Sequence, residues 1–276
     1  MRAVRYTVDG GEARIGRLDG DRVVDAGPAG PAGFAPTPAA WRALDGASGE
    51  QRPLSAVTLL HPVVPDKIMA IGLNYRDHAE ESKLEIPAMP VVFTKHPSCL
   101  IGQGESIVLP HEETRPDYEA ELAIVIGERC RRVSLDDALG VVGGYTAFND
   151  VSGRRAQFDT PLRQFTYGKS FDTFGPIGPA IVRSRGADLG ALDVTTVISG
   201  EVMQRSNTRN LIFGVAELIE YVTRATTLEA GDVIATGTPG GVGDGRTPPR
   251  YLRPGDVVEI TIGGVPTLRN PVVAED

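Results

Sequence analysis

The chain has 276 residues, 41% of them hydrophobic, and a formal net charge of -8, which suits one large domain or one domain with a small extension. Lys and Arg do not cluster with aromatic residues, so we expect no nucleic-acid partner. The sequence opens with MRAVRYTVDG and contains no stretch of transmembrane length, which predicts a cytoplasmic protein without membrane contact. Cys99 and Cys130 form no CxxC motif and no metal-ligand spacing, so we expect them to be buried or partly buried thiols.

The first sixty residues are predicted to form a small N-terminal β-rich domain, residues 1–60. Short strand-like runs in MRAVRYTVDGGEARIGRLDGDRVVDAG alternate with Gly-Gly and Asp-Gly turns, as in hairpins. A Pro- and Gly-rich loop follows, and then a short helix near Trp41.

Residues 61–276 are predicted to form the main, catalytic domain. Apolar, β-branched runs such as KIMAIG, AELAIVIG and VVEITIGG are separated by Gly and Pro, which indicates strands. One amphipathic helix is expected in NLIFGVAELIEYVTRA, because Leu211, Val215, Leu218 and Val222 recur at helical spacing. The fold class predicted is therefore mostly β (α+β), with few helices.

Two glutamates begin the strand-like segment DYEAELAIVIG. Glu119 and Glu121 share one strand face with Ala123 and Val125, which we expect to be buried. Adjacent ionised carboxylates repel each other, so one is protonated, a cation lies between them, or both are solvated at the strand end. Asp150 ends another apolar run, YTAFND, and would complete an oxygen-only ligand set suited to Mg²⁺, Mn²⁺ or Ca²⁺.

A candidate general base lies in GLNYRDHAEES. His78 and Glu81 are three positions apart and would be neighbours on one helical turn. A carboxylate beside a histidine fixes its tautomer and raises its basicity. The alternative is an exposed polar turn.

Further candidates follow Asp150 along the chain. Arg154 and Gln157 lie on a segment expected to turn back across the site, and Lys169 lies in a Gly-flanked loop. Such cations would bind a carboxylate substrate, or else face solvent. The Gly-rich segment ATGTPGGVG is predicted to be either an N–H nest for an anion or a plain turn.

These motifs together resemble the fumarylacetoacetate hydrolase family, in its short bacterial form, from about Lys67 to the end of the chain. The resemblance rests on motifs that occur in the family's order: IGLNYRDHAEES, PVVFTKHPSCLIGQGESIVLP, DYEAELAIVIG, GYTAFNDVSGRRAQF, YGKSFDTFGPIGP, ISGEVMQRSNTRNLIF and DVIATGTPGGVG. It implies the family's mixed β-roll or sandwich body, with the first sixty residues as a small N-terminal β layer, and a homodimer.

The resemblance also implies roles for individual residues. A metal site for Mg²⁺ or Mn²⁺, or for Ca²⁺ in crystals, falls on Glu119, Glu121 and Asp150. The catalytic dyad on a lid helix falls on His78 and Glu81, and the catalytic lysine falls on Lys169. Substrate binding falls on Arg154, Gln157 and Thr238. One departure is Arg155, where many family members carry an acidic residue.

The function expected from this resemblance is metal-dependent hydrolysis of a C–C bond in an acylpyruvate-like 2-oxo or 2,4-dioxo acid, as in aromatic catabolism, through a metal-stabilised enolate. The same site would also support an oxaloacetate-type decarboxylase or a 2-hydroxymuconate-type isomerase. A non-enzymatic alternative is a metal-dependent carboxylate-binding protein.

Overall fold

Short strands joined by Gly- and Pro-containing turns make up most of the fold in the computed structural model, which describes residues 1–276. The strands are β1 (Arg2–Thr7), β2 (Arg14–Asp19), β3 (Arg22–Pro28), β4 (Gln51–Pro53), β5 (Thr58–Leu60), β6 (Ile68–Gly72), β7 (Val91–Lys95), β8 (Leu100–Ile101), β9 (Ile107–Leu109), β10 (Pro116–Asp117), β11 (Ala120–Ile126), β12 (Val142–Asn149), β13 (Ser152–Gly153), β14 (Gly175–Arg183), β15 (Asp193–Ile198), β16 (Glu201–Asn207), β17 (Val233–Ala235), β18 (Val257–Ile262) and β19 (Leu268–Ala274).

Few helices accompany these strands, as the sequence predicts. They are α1 (Pro38–Asp45), α2 (Arg76–Ser82), α3 (Arg154–Phe158), α4 (Phe165–Lys169) and α5 (Val215–Thr223), together with 3-10 turns at Leu54–Ala56, Pro97–Cys99, Ala138–Val141 and Thr208–Asn210. None of the helices has the length and apolar character needed to cross a membrane.

Two sheets and one short strand pair organise the molecule. The large sheet has 12 strands, with the order β4-β3-β2-β1-β14-β12-β11-β17-β6-β7 and with β5 and β8 added beside β1 and β14. A 5-stranded sheet has the order β16-β15-β18-β19-β9, and β10 pairs with β13. The mostly β fold class is therefore confirmed.

Strand β11 lies near the centre of the large sheet and is buried on both faces. Leu122 and Ile124 pack in a core cluster with residues of the smaller sheet and of α5. Ala123 and Val125 point to the other face, where they join a cluster that contains Trp41 of α1. The burial expected for Ala123 and Val125 is confirmed. Glu119 and Glu121 precede them on the same strand face and are buried as well.

The N-terminal hairpins continue the large sheet. Strand β1 pairs antiparallel with β14, with Arg2 opposite Val182 and Ala3 opposite Ile181. The N-terminal β layer is present, while the division into domains 1–60 and 61–276 stays a prediction. Both cysteines are free and buried, as expected.

Helix α5 is shorter than the sequence pattern predicts. It spans Val215–Thr223, and Leu211 precedes it in an isolated bridge to Tyr75. The helix starts late because Glu217 Oε2 accepts a hydrogen bond from the Gly214 N–H at 2.6 Å, which caps its first turn. Val215, Leu218 and Val222 are buried as expected.

Candidate metal centre and active site

Three carboxylates meet where β11 begins and β12 ends. The strands are antiparallel, with Ala120 opposite Asn149, so Glu119 lies beside Asp150. The Asp150 N–H donates to the Glu119 carbonyl at 2.9 Å, which extends the pairing by one step. One side-chain oxygen from each of Glu119, Glu121 and Asp150 lies within 4.8 Å of the others, and all three residues are buried.

Buried cations hold two of these carboxylates. Lys169 Nζ, at the end of α4, donates to Glu119 Oε2 at 2.8 Å and to Asp150 Oδ2 at 2.7 Å. Arg154 Nη2, at the start of α3, donates to Glu119 Oε1 at 2.6 Å. Lys95 Nζ, at the end of β7, donates to Asp150 Oδ1 at 2.7 Å. Each oxygen of Glu119 and of Asp150 therefore has a charged partner.

Glu121 has no such partner, because its one hydrogen bond comes from the Gly237 N–H at 2.9 Å. Burial, followed by repulsion from Asp150 and Glu119, raises the pKa of Glu121 well above its usual range. Burial also raises the pKa of Glu119, but Lys169 and Arg154 outweigh it and lower this pKa to about 2. The two glutamates of one motif therefore have opposite electrostatic environments.

The buried charges do not balance. Asp117 also lies in this cluster, where Arg154 Nε donates to its Oδ2 at 2.9 Å. Four carboxylates, those of Asp117, Glu119, Glu121 and Asp150, face three cations, those of Lys95, Arg154 and Lys169. One negative charge is left over when all are ionised, and a buried unpaired charge is costly. An oxygen-only set with an excess negative charge fits a hard divalent cation such as Mg²⁺, Mn²⁺ or Ca²⁺.

The histidine–glutamate pair lies on helix α2. His78 Nδ1 is 3.3 Å from Glu81 Oε2, and the Gly241 N–H donates to the two Glu81 oxygens at 2.9 and 3.1 Å. Burial raises the pKa of Glu81, but the hydrogen bonds from His78 and Gly241 lower it by more than burial raises it. The pKa of Glu81 therefore lies below its usual range. At neutral pH an ionised Glu81 thus fixes the imidazole, which leaves Nε2 free to take a proton.

Helix α2 is docked against the body of the protein. Ser206 Oγ donates to Asp77 Oδ2 at 2.5 Å, and the Gly240 N–H donates to Asp77 Oδ1 at 3.4 Å. The expectation that this segment orders over substrate stays a prediction.

The Gly-rich segment after β17 is a nest for the protein's own carboxylates. Its N–H groups at Gly237, Gly241 and Gly243 donate to Glu121, Glu81 and Asp117. Gly237 has a φ of 100°, and a Cβ there would lie 2.8 Å from Asn74 Cβ, so only glycine fits this turn. These anions come from the chain itself, so these groups are not open to a ligand.

A cavity of about 460 Å³ opens beside the carboxylates. Of the nine site residues predicted from the sequence, six line it: His78, Glu119, Arg154, Gln157, Lys169 and Thr238. Glu81, Asp150 and Glu121 do not line it, but each lies next to a residue that does, namely His78, Lys169 and Glu119. Arg154 Nη1 donates to Gln157 Oε1 at 3.0 Å, and Gln204 Nε2 donates to Thr238 Oγ1 at 2.9 Å. The structure therefore brings all nine residues to one region.

Sequence reasoning missed Lys95, Asp117 and Ser152. Asp117 lies two positions before Glu119, so its spacing was a usable signal. Lys95 ends an apolar strand just as Asp150 does, which was a weaker signal. Ser152 Oγ receives a hydrogen bond from Lys169 at 2.8 Å, and its sequence context gave no indication of this role. Arg155 is exposed and donates to the Glu112 carbonyl, away from this cavity.

Known proteins resemble this chain in sequence. The family profile described as "Fumarylacetoacetate (FAA) hydrolase C-terminal" matches residues 67–273. The chain is 47% identical over 226 residues to oxaloacetate tautomerase YisK of Bacillus subtilis, a match that covers 79% of this chain and 74% of that protein. It is 43% identical over 223 residues to the mitochondrial oxaloacetate tautomerase FAHD2A of Bos taurus, covering 80% of this chain and 71% of that protein.

Solved structures extend the similarity to the whole chain. The crystal structure of 5-carboxymethyl-2-hydroxymuconate delta-isomerase from Mycobacterium smegmatis is 35% identical, has a TM-score of 0.83 and covers 100% of both chains. The profile match and these identities show that the chain belongs to the fumarylacetoacetate hydrolase family.

Proposed function

We propose that the protein is a metal-dependent enzyme that interconverts the enol and keto forms of a small 2-oxo acid, with oxaloacetate as the first substrate to test. The similarity to two oxaloacetate tautomerases, at 43% and 47% identity, carries this proposal. From the sequence, hydrolysis of a C–C bond is the expected reaction and a decarboxylase or isomerase is the alternative. The similarity to tautomerases favours that alternative over hydrolysis.

The proposed metal ligands are Glu119, Glu121 and Asp150. A divalent cation bound there would act as a Lewis acid toward the carboxylate and 2-oxo oxygens of the substrate. Lys169 stays protonated in this role: burial lowers its pKa, but Asp150 and Glu119 outweigh burial and raise it. Its ammonium group and Arg154 would attract the substrate carboxylate and stabilise negative charge on the 2-oxygen.

His78 would move the proton. In the keto-to-enol direction, Nε2 takes a proton from C3, the C–H electron pair forms the C2–C3 double bond, and the 2-oxygen gains a proton from solvent. In the reverse direction, the imidazolium returns a proton to C3 as the 2-oxygen releases its own. Glu81 would hold the imidazole in place through Nδ1, so that one histidine serves both directions.

The deciding experiment follows the enol absorbance of freshly dissolved enol-oxaloacetate, with and without Mg²⁺ or Mn²⁺. We expect the wild-type protein with metal to speed the loss of enol, and His78→Gln to reduce the rate about a hundred- to ten-thousand-fold. Formation of pyruvate measured in parallel reports decarboxylation, and pyruvate released from acetylpyruvate reports hydrolysis. Loss of enol at the buffer rate, beside rapid release of pyruvate, would reject the tautomerase in favour of one of these reactions.

A second candidate is isomerisation of a 2-hydroxymuconate-type acid. It is favoured by the full-length similarity to the isomerase from Mycobacterium smegmatis. The proton transfer is of the same kind, but the proton is returned at a carbon farther along a conjugated chain. A cavity of about 460 Å³ lies in the range that holds ligands larger than oxaloacetate. A 2-hydroxydienoic acid in the same assay tests it.

A further inference from the structure

Arg163 at the mouth of the cavity has no anionic partner. The other basic groups that line the cavity are all engaged: Lys169 and Arg154 with carboxylates, and His78 with Glu81. Arg163 makes no ion pair and no side-chain hydrogen bond, although its side chain lines the same cavity. Its guanidinium carbon lies 5.3 Å from the centre of the Phe158 ring, which also lines the cavity. Stacking of this kind restrains a guanidinium group while leaving its N–H groups free.

Large apolar side chains contribute to the lining of the same cavity. They are Leu84, Val91, Phe93 and Phe165, and Leu84 is 50% exposed. These side chains would accommodate the carbon chain of a substrate but not a charge along that chain. The carboxylate of Asp244 also borders the cavity, and its Oδ1 accepts a hydrogen bond from the Tyr251 hydroxyl at 2.5 Å. Arg163 is therefore the group at the mouth that can receive an anion.

From this arrangement we propose that Arg163 is a specificity-determining residue, which binds the distal carboxylate of a 2-oxo dicarboxylic acid and thereby favours such diacids, oxaloacetate among them, over 2-oxo monoacids. The inference rests on the proposed function, because the 2-oxo acid end is placed at the carboxylate cluster and the far end at Arg163. A planar guanidinium binds a carboxylate through two parallel hydrogen bonds. A methyl group at the same end gains no such bond and leaves Arg163 without a partner.

The experiment compares pairs of acids that differ only at the far end. 2-Oxoglutarate, 2-oxoadipate and 2-oxopimelate are each paired with the 2-oxo monoacid of the same chain length. Binding to the Mg²⁺-loaded protein is measured by calorimetry, which needs no turnover. At the best chain length we expect the diacid to bind about five- to twentyfold more tightly than its monoacid, with a preference that falls as salt is raised.

Variants then assign the preference to one residue. Arg163→Gln should lower the affinity for the diacid to that for the monoacid. Arg163→Lys should retain part of the preference for the diacid, because lysine keeps the positive charge. Arg155→Gln is the control, because Arg155 is a nearby exposed arginine outside this cavity, and it should bind like the wild type. Oxalate, which is too short to reach the mouth, should bind equally to all four proteins.

Two results would overturn the inference. One is a wild-type protein that binds diacids and monoacids equally at every chain length. The other is a diacid preference that survives in Arg163→Gln. Failure of oxalate to bind to any of these proteins is a different result. It would contradict binding of the 2-oxo acid end at the metal, and with it the proposed function itself.

Discussion

Lys95 Nζ donates a hydrogen bond to Asp150 Oδ1 at 2.7 Å, and neither side chain is accessible to solvent. The same ammonium group also donates to the Phe174 carbonyl at 2.9 Å. One lysine thus anchors the end of β12 to the chain segment that leads into β14. The geometry of the carboxylate cluster depends on this contact, although Lys95 does not line the cavity.

Replacing Lys95 with Met should therefore destabilise the protein strongly. The substitution leaves Asp150 with an unpaired buried oxygen, and breaking a buried ion pair from one side costs about 3–5 kcal/mol. Urea denaturation gives the free energy of unfolding. The control is Arg269→Met, because Arg269 Nε lies 3.4 Å from Glu259 Oε1 and both side chains of this pair are exposed. The control should lose about 1 kcal/mol or less, and equal losses in the two variants would contradict the argument.

Glu121→Gln should separate metal binding from stability. Without metal, the variant removes the unbalanced charge and should be at least as stable as the wild type. With Mg²⁺ at a hundred times its dissociation constant, the wild type should gain about 2.7 kcal/mol, and the variant should gain far less. Melting temperature against Mg²⁺ concentration measures both effects. The exposed Glu112→Gln serves as control, and a Glu121→Gln protein that responds to Mg²⁺ like this control would exclude Glu121 as a ligand.

Glu81→Gln should lower the rate of enol conversion less than His78→Gln does. Glu81 orients the imidazole through Nδ1 and accepts two hydrogen bonds from Gly241, but it is not placed to take the substrate proton. We expect a loss of about tenfold to a hundredfold in kcat, with Mg²⁺ affinity unchanged. Glu80→Gln, an exposed change on the same helix, should behave like the wild type. A Glu81→Gln defect as large as that of His78→Gln would assign the glutamate a direct role.

The N-terminal β layer has its own pH-dependent ion pair. The hydrogen bonds from Arg14, opposed by burial and assisted by the Tyr6 hydroxyl, lower the pKa of Asp25 to about 2 from 3.8. A lowered folded-state pKa gives stability that is present above pH 3.8 and lost as pH falls toward 2. Arg14 is partly exposed, so we expect Asp25→Asn to cost only about 1–2 kcal/mol at pH 7.

Urea titrations of wild type and Asp25→Asn at a series of pH values test this sign. The difference in free energy of unfolding should stay constant from neutral pH down to about 5 and then shrink as the wild-type carboxylate is protonated. A difference that grows as the pH falls would show that Asp25 is not held ionised in the folded state.

The sequence could predict the strands and the carboxylate cluster because both follow local rules. Period-2 spacing placed Glu119 and Glu121 on one face, and apolar runs marked β11 and β12. To place Asp150 beside these glutamates, β11 and β12 must also pair as neighbouring strands, and the observed register shows that they do. Local spacing, once combined with that single pairing, was enough to group the three carboxylates.

The partners of those carboxylates were harder to predict. Lys95 is 55 positions from Asp150 in the chain, and no local pattern reports a contact over that distance. The sequence also left open whether one glutamate of the pair is protonated, a cation lies between them, or both are solvated. In the structure Arg154 and Lys169 pair with Glu119, and Glu121 has no cationic partner. The start of α5 could not be placed because the apolar spacing already begins at Leu211, before the cap at Gly214.

The pairing of β1 with β14 also has a consequence for expression of shortened chains. Ile181 and Val182 lie opposite Ala3 and Arg2 in this antiparallel pairing, and Ile181 is fully buried. A chain that started at residue 61 would leave the backbone N–H and C=O groups of this part of β14 unpaired, next to apolar side chains. Unprotected edges of this kind recruit strands from other molecules. The N-terminal strands therefore protect this edge from self-association, in a sheet whose other half contains the carboxylate cluster.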